Sequence, residues 1–292
     1  MELTTPNCPI DGGVSVAWCS KSGFQLYRCT SCDFGFVFPV PQSTDEVYQA
    51  DYFFGAKEGC GGLHGYVDYD QDKLAMLSTL HKYLETLEQI RGSRGSLLDV
   101  GTATGFFVEV ASKRGWTAEG IELSQAAVDA GRAKGRSVRQ GTLEADVESR
   151  RYEVMTFLDV LEHVPDPWAT LATARRRLEQ GGVIFINVPD AGSVYAKLMG
   201  KNWHAIVPPE HLWYFTRRSI LLALERAGFV EPQVRKYAKT FRLSYIVSTL
   251  VRMPAFRWAS GIAERLASSR VGAWKISLPL YDNIVVIAKS PR

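Results

Sequence analysis

The 292-residue sequence contains no run of about 20 uninterrupted apolar residues, the length a helix needs to span a bilayer. Its most lipid-like segment, 241–262, is interrupted by Arg242, Arg252 and Arg257 and broken by Pro254. The first nine residues lack a basic region followed by an apolar run, so no secretory leader is expected and the chain reads as cytoplasmic. Charge of one sign is also scarce. Thirty-four Lys and Arg against 31 Asp and Glu leave a net charge of +3, too mild for a nucleic-acid binder. The tight basic runs are Arg175-Arg176-Arg177 and Arg217-Arg218, and the first reads as a solvated helix face. Cysteines number five, and four of them (Cys8, Cys19, Cys29 and Cys32) fall in the first 32 residues. A secreted disulfide scaffold spreads its cysteines through the fold, so this clustering reads as a metal site in a reducing compartment. Twenty-five Gly, 13 Pro and 46% hydrophobic residues exclude collagen-like and disordered classes and suffice for one large core with a small appendage.

Three regions are expected: a small Cys-rich module over 1–42, a connecting and helical lid segment over 43–95, and the main domain over 96–292. In the module, strand-like VSVAW and FQLYRC flank a Lys21-Ser22-Gly23 turn. The connecting segment is rich in Tyr and Phe. It ends with Leu74, Leu77, Leu80, Leu84 and Leu87 at helical spacing over 71–90. Strands then follow at 96–100, 117–121, around Val138, at 153–158 and at 183–188, the last entered through a Gly181-Gly182 turn. Helices are expected from Phe106, from Gln125 after a Ser124 cap, and over about 166–178. A helix at 219–227, strands at 229–237 and 284–288, and a helical stretch between those strands complete the pattern. Strands alternating with helices specify a doubly wound α/β domain with a mostly parallel sheet of about seven strands.

The most informative run is Leu97-Leu98-Asp99-Val100-Gly101-Thr102-Ala103-Thr104-Gly105. A glycine turn between strand and helix lets a ligand approach bare backbone at the sheet's carboxyl edge. Asp99 narrows the choice of ligand. A dinucleotide site offers neutral N–H groups to a pyrophosphate, and a carboxylate beside that phosphate would repel it. A ligand bearing an ammonium group tolerates or uses Asp99, and S-adenosylmethionine is such a ligand. Glu122, 23 residues beyond Asp99 at the end of the next strand, is spaced to accept hydrogen bonds from both ribose hydroxyls.

LLDVGTATGFF, GIELS and FLDVLEHVPDP resemble the class I S-adenosylmethionine-dependent methyltransferases. RRLEQGGVIFINVPD and PPEHLWYFTRRSILLALERAGF are similar to one broad bacterial branch of them, which carries an N-terminal zinc-binding module. The resemblance spans about 45–290 and implies a Rossmann-like sheet. It also implies that Asp99, Gly101, Thr102 and Gly105 bracket the methionine moiety, and that Glu122, followed by Leu123, holds the ribose. Thr142 and Leu143 would lie against the adenine, and Asp159 near the sulfonium end.

Methyl transfer is an in-line displacement, and a base can assist it by taking a proton from an oxygen, nitrogen or carbon acceptor. Glu210-His211 lies in a loop stiffened by Pro208 and Pro209 and rich in aromatics, and is the leading candidate. It resembles a Glu-His element of deoxysugar C-methyltransferases, although Pro208 stands where those enzymes have Tyr. His163 follows the fourth strand and either joins the chemistry or braces its loop by a hydrogen bond. His81 reads as a surface or packing residue. Trp203, His204, Tyr195 and Tyr214 shape an acceptor pocket or belong to the core.

Cys29-Thr30-Ser31-Cys32 has the spacing of half a zinc knuckle. Cys8 begins the other half, with Asp11 where a second Cys would normally stand. Cys19 is the alternative fourth ligand, and a degenerate knuckle without metal is the other alternative. Four protein ligands would make the zinc structural, and about 35 residues bury too little to fold unaided. The sequence thus leads to a methyltransferase acting on a small-molecule acceptor (a sugar, natural-product or cofactor intermediate) with no nucleic-acid partner and no membrane span. An RNA methyltransferase and a non-enzymatic S-adenosylmethionine-binding protein are the rivals.

Overall fold

The computed structural model describes residues 5–41, 70, 73, 74, 76–146, 150–237, 239–243 and 282–292, together with 247, 261, 265, 266, 269, 271, 272 and 274–278. The Tyr- and Phe-rich part of the connecting segment and most of 241–262 lie outside these residues.

The chain opens with a hairpin of β1 (Ser15–Lys21) and β2 (Phe24–Cys29). Ser22 and Gly23 join them with φ of +51° and +82°, the double positive-φ turn whose twist suits a two-residue hairpin loop. β3 (Gly35–Val37) pairs with β2. After the connecting segment comes α1 (Leu77–Arg91), which buries Leu80, Tyr83, Leu84 and Leu87 at helical spacing. Gly92 ends it in the left-handed conformation.

The expected alternation follows: β4 (Ser96–Val100), α2 (Phe106–Lys113), β5 (Thr117–Glu122), α3 (Gln125–Ala133), β6 (Val138–Gln140), β7 (Tyr152–Leu158), α4 (Pro167–Arg177) and β8 (Leu178–Pro189). The remaining elements are α5 (Val194–Met199), β9 (Trp213–Tyr214), α6 (Arg217–Arg226), β10 (Val230–Arg235), β11 (Lys239–Arg242), β12 (Lys275–Leu278) and β13 (Asn283–Lys289). Seven strands form the central sheet in the order β10-β13-β8-β7-β4-β5-β6. β4 to β8 run parallel, and β13 is antiparallel to β8 and β10. The chain moves outward from β4 to β6 and then returns to β7 on the other side of β4. The carboxyl ends of β4 and β7 therefore flank a topological switch point, where doubly wound sheets open a crevice.

Burial is nearly continuous along the central strands because both faces are covered, and successive side chains enter opposite cores. Val154, Val183, Phe185, Val285 and Ile287 pack with α1 and α2 in one core. Met155, Phe157, Ile184, Ile186, Ile284 and Val286 pack in the other with side chains of α4 and α6. That second core also holds Ile10, Phe34 and Phe36 of the N-terminal module. β3 pairs with β9, so the module's four-stranded sheet β1-β2-β3-β9 takes its last strand from the chain following β8.

Several sequence expectations change. Gly181-Gly182 is no simple turn, because α4 runs directly into β8. The β7–β8 register jumps from Tyr152↔Leu178 to Val154↔Val183, leaving the glycines in the irregular stretch between. Gly181 there has φ +70°, which a side chain rarely adopts. Ser124 stands at the N-cap of α3 without a capping hydrogen bond from its side chain. The strand expected over 229–237 is shorter. The segment between it and the last strand is not simply helical, because Lys239–Arg242 and Lys275–Leu278 pair antiparallel. Among the described residues, no helix is long and apolar enough to cross a membrane.

Candidate active site

The turn after β4 brings backbone close to open space. Gly101 and Gly105 have φ of +66° and +73°. A Cβ on Gly101 would stand 2.7 Å from Val160 and one on Gly105 2.4 Å from Val138, so glycine is required at both positions by conformation and by crowding. Asp99 is buried beneath the turn, accepting hydrogen bonds from Thr102 Oγ1 at 2.7 Å and Thr156 Oγ1 at 2.5 Å. Burial pushes its carboxyl up to about 6, against the two hydroxyls and the Lys73 charge. Asp99, Gly101 and Thr102 line a crevice together with Lys73, Phe106 and Leu158.

Glu122, at the end of β5, is tied to the same turn. Its Oε2 accepts the Ala103 N–H at 2.8 Å and its Oε1 the Ser124 N–H at 2.9 Å. Burial raises the Glu122 pKa, opposed by these N–H groups. Beyond β6, Leu143 is buried, and Thr142 Oγ1 accepts the Ala145 N–H at 3.2 Å. Asp70 clamps the turn from outside through Thr104 Oγ1 at 2.5 Å, Arg136 Nη2 at 2.7 Å and Lys134 Nζ at 2.7 Å. Although burial opposes it, this ring of donors holds Asp70 at about 2. No local pattern in the sequence marks Asp70, Lys73 or Thr156. Thr156 is identifiable only from the pairing that sets it opposite Asp99.

Asp159 follows β7 at the switch point, with φ +59°. Its Oδ1 accepts Asn187 Nδ2 at 2.6 Å and Asn283 Nδ2 at 3.2 Å, from β8 and β13. Asn187 carried a faint sequence signal, as a polar residue inside the otherwise apolar 183–188 run.

The two candidate histidines meet. The rings of His163 and His211 lie 4.6 Å apart, edge to face. His163 Nδ1 bonds the Glu210 carbonyl and His211 Nδ1 the Ala205 carbonyl, each at 2.8 Å. A carbonyl only accepts, so in the neutral rings Nδ1 carries the proton and Nε2 the lone pair. Burial lowers His163 to about 4, which keeps it neutral at pH 7. Glu162 adds a buried carboxylate, and its oxygen and the two imidazole nitrogens lie within 4.8 Å of one another. Glu210 is itself buried. The aromatic run after it is core rather than pocket lining, because Trp213 and Tyr214 form β9 and Trp213 stacks on Phe34 at 6.0 Å. Trp203 is fully buried as well, whereas His204 stays half-exposed beside Tyr195.

In the module, Cys8, Asp11, Cys29 and Cys32 converge, with donor atoms within 4.8 Å of one another. Cys8 Sγ lies 3.7 Å from Cys32 Sγ, and Cys29 Sγ lies 3.4 and 3.6 Å from the two Asp11 oxygens. Cys19 is on β1 and stands outside this group.

The methyltransferase domain family matches residues 70–231, more than half of the chain. A ubiquinone biosynthesis O-methyltransferase of Alkalilimnicola ehrlichii is 37% identical over 167 residues, covering 49% of this chain and 68% of that protein. Its namesake from Saccharophagus degradans is 29% identical over 188 residues, covering 55% and 79%. Among solved structures, a SAM-dependent methyltransferase from Archaeoglobus fulgidus superposes with a TM-score of 0.50 at 18% identity, covering 73% of this chain and 92% of that one. Magnesium protoporphyrin IX methyltransferase from Synechocystis gives 0.50 at 13% identity, covering 77% and 89%, a likeness of fold alone. The glycine turn, the switch-point crevice and these matches agree: the chain belongs to the methyltransferase domain family and is a class I S-adenosylmethionine-dependent methyltransferase.

Proposed function

We propose that this enzyme methylates a hydroxyl oxygen of a small-molecule acceptor bound at the carboxyl edge of β7 and β8, with His211 as the base. The observation that carries the reading is the His211 tautomer: Nδ1–H is committed to the Ala205 carbonyl, which places the lone pair, and so the basic nitrogen, at Nε2. The likeness to proteins named O-methyltransferases supports oxygen as the acceptor atom. S-adenosylmethionine supplies an electrophilic methyl on a sulfonium. Asp99 would face the ammonium of its methionine end, with Gly101, Thr102 and Gly105 against the chain and Glu122 and Leu123 at the ribose. Thr142 and Leu143 would border the adenine. The acceptor oxygen gives its proton to His211 Nε2 and takes the methyl, while the carbon–sulfur bond breaks with its electron pair left on sulfur. Glu210 and His163 act as positioning residues, since the Glu210 carbonyl fixes the His163 ring that packs on His211.

Zinc is proposed at Cys8, Asp11, Cys29 and Cys32. Thiolates about 2.3 Å from a tetrahedral zinc stand about 3.8 Å from each other; here Cys8–Cys32 and Cys29–Asp11 stand at 3.4–3.7 Å, and all four donor atoms lie within 4.8 Å of one another. Such an ion is structural, since four protein ligands leave no position for substrate.

Labelled methyl transfer from S-adenosylmethionine to a panel of phenols, diols and amines tests the reading. Hydroxyl methylation is expected in the wild type. In His211→Gln, kcat should fall by about 10²-fold or more with unchanged affinity for S-adenosylhomocysteine. Products methylated only at nitrogen or carbon, or a fully active His211→Gln, refute it.

A further inference from the structure

The Asp159 carboxylate has features of a recognition group for the acceptor, on the opposite side of the switch point from Asp99. Its backbone sits at φ +59°, which only glycine and, at some strain, Asn and Asp adopt readily. Such a conformation persists where the surroundings over-determine it. Here they do, because Asp159 N–H donates to the Asn187 carbonyl at 2.9 Å while the Asn187 carboxamide donates back to Oδ1. The Asn283 carboxamide reaches the same Oδ1 from a third strand, and its Nδ2 also donates to Asn187 Oδ1 at 3.2 Å, which ties the two carboxamides to each other. Two carboxamides from two strands therefore fix one carboxylate oxygen. Among the described residues, Oδ2 takes no hydrogen bond, and the side chain is only half-buried.

The position gives this oxygen a use. Leu158, the preceding residue, lines the crevice shared with Asp99. On the other side, the Asp159 charge is felt by the His163 ring, which contacts His211. Asp159 thus stands between the crevice and the imidazole pair. An ionised carboxyl oxygen is an acceptor only, so its complement is a ligand N–H or O–H. A clamp built to hold that oxygen immobile favours a ligand group of fixed geometry.

Resting on the hydroxyl-acceptor reading above, we propose that Asp159 Oδ2, held by the Asn187–Asn283 clamp, binds a second hydrogen-bond donor on the acceptor, next to the hydroxyl that is methylated. The substrate class is then a small molecule with two neighbouring hydroxyls, or a hydroxyl beside an amine, and Asp159 sets the preference for it over singly hydroxylated analogues. Asn187 and Asn283 are positioning residues acting through Asp159.

Asp159→Asn is the discriminating variant. Asn tolerates the left-handed backbone, and its carboxamide oxygen still accepts from Asn187 and Asn283. The atom in place of Oδ2 becomes an NH₂, which donates where the acid accepted. Methyl transfer is measured with catechol and phenol as paired probes, alongside calorimetric binding of S-adenosylhomocysteine. The wild type should prefer catechol in kcat/KM, and the variant should lose that preference by about tenfold or more, with unchanged affinity for S-adenosylhomocysteine. Asn187→Leu should move the same ratio in the same direction. An unchanged catechol-to-phenol ratio in Asp159→Asn overturns the assignment. So does an about tenfold loss of S-adenosylhomocysteine affinity, which would place Asp159 against the cofactor. A wild type that methylates neither probe refutes the hydroxyl-acceptor reading itself, and this assignment with it.

Discussion

At the scale of single residues, the site separates two carboxylates by what surrounds them. Asp99 lies under the glycine turn, where burial lifts its carboxyl to about 6 and two threonine hydroxyls hold its orientation. An ammonium group arriving above it would favour the charged form, so ligand binding and loss of the Asp99 proton are linked. The sign follows directly. Above about pH 6 the acid is already ionised and affinity is flat. Below that, each unit of pH weakens binding of a cationic ligand by up to about tenfold. S-adenosylhomocysteine, which keeps the ammonium but lacks the sulfonium charge, should bind about tenfold more weakly at pH 5 than at pH 7. Asp99→Asn should bind weakly at both values. A wild-type affinity independent of pH in this range, read by calorimetry, would dissociate Asp99 from the ammonium. Asp159 has the contrasting environment, half-buried and fixed by carboxamides rather than hydroxyls, which suits it to select a ligand donor rather than to hold a charge.

At the scale of elements, two-residue β9 connects the module to the imidazole pair. Trp213 stacks on Phe34 at an interplanar angle of 12°, packs against Trp168 and donates its indole N–H to the Val164 carbonyl at 2.7 Å. Leu212 N–H, one residue earlier, donates to the Glu162 carbonyl at 2.8 Å. The segment carrying Glu210 and His211 is thereby fixed to the 162–164 loop on one side and to β3 on the other. Trp213→Ala should lower stability by about 3–5 kcal/mol in chemical denaturation and lower turnover, leaving cofactor affinity intact. A loss below about 1 kcal/mol would show that β9 carries no such strain of packing. This linkage also marks where the sequence became illegible. Strands β4, β5 and β7 and their following helices were readable because each combines an apolar run with a glycine turn or a cap, all local signals. Cys8, Asp11, Cys29 and Cys32 were readable from spacing within 25 residues of chain. β9 was not, because two residues have no period, and their strand identity comes from Gly35 and Phe36, which lie 177 or more positions away. The same holds for Asn283 beside Asp159, whose meeting across 124 positions depends on the order of β7, β8 and β13.

At the scale of the whole molecule, the Cys-rich module is continuous with the catalytic core. A free-standing 35-residue ribbon would depend on its metal alone. Here Ile10, Phe34 and Phe36 are buried in the same core as Phe157, Ile186 and Phe215, and Thr216 Oγ1 at the start of α6 lies 3.3 Å from the Cys32 carbonyl. If the proposed zinc binds at Cys8, Asp11, Cys29 and Cys32, its removal should loosen residues that pack in the same core as the catalytic domain, rather than melt a detached unit. Burial pushes the Cys8 thiol up to about 11, so without an ion it is a neutral thiol, and binding of zinc would have to release its proton. Calorimetry should show one cooperative unfolding transition for the zinc-loaded protein. Chelation, or Cys29→Ser, should lower that single midpoint, since a ligand that binds only the folded form adds its binding free energy to folding. The His163 and His211 ring resonances should shift on chelation, while that of His81, on α1 beside Arg114, stays in place. Two separate transitions, with only the smaller one sensitive to chelator, would mean that the module folds independently and that its metal has no hold on the imidazole pair.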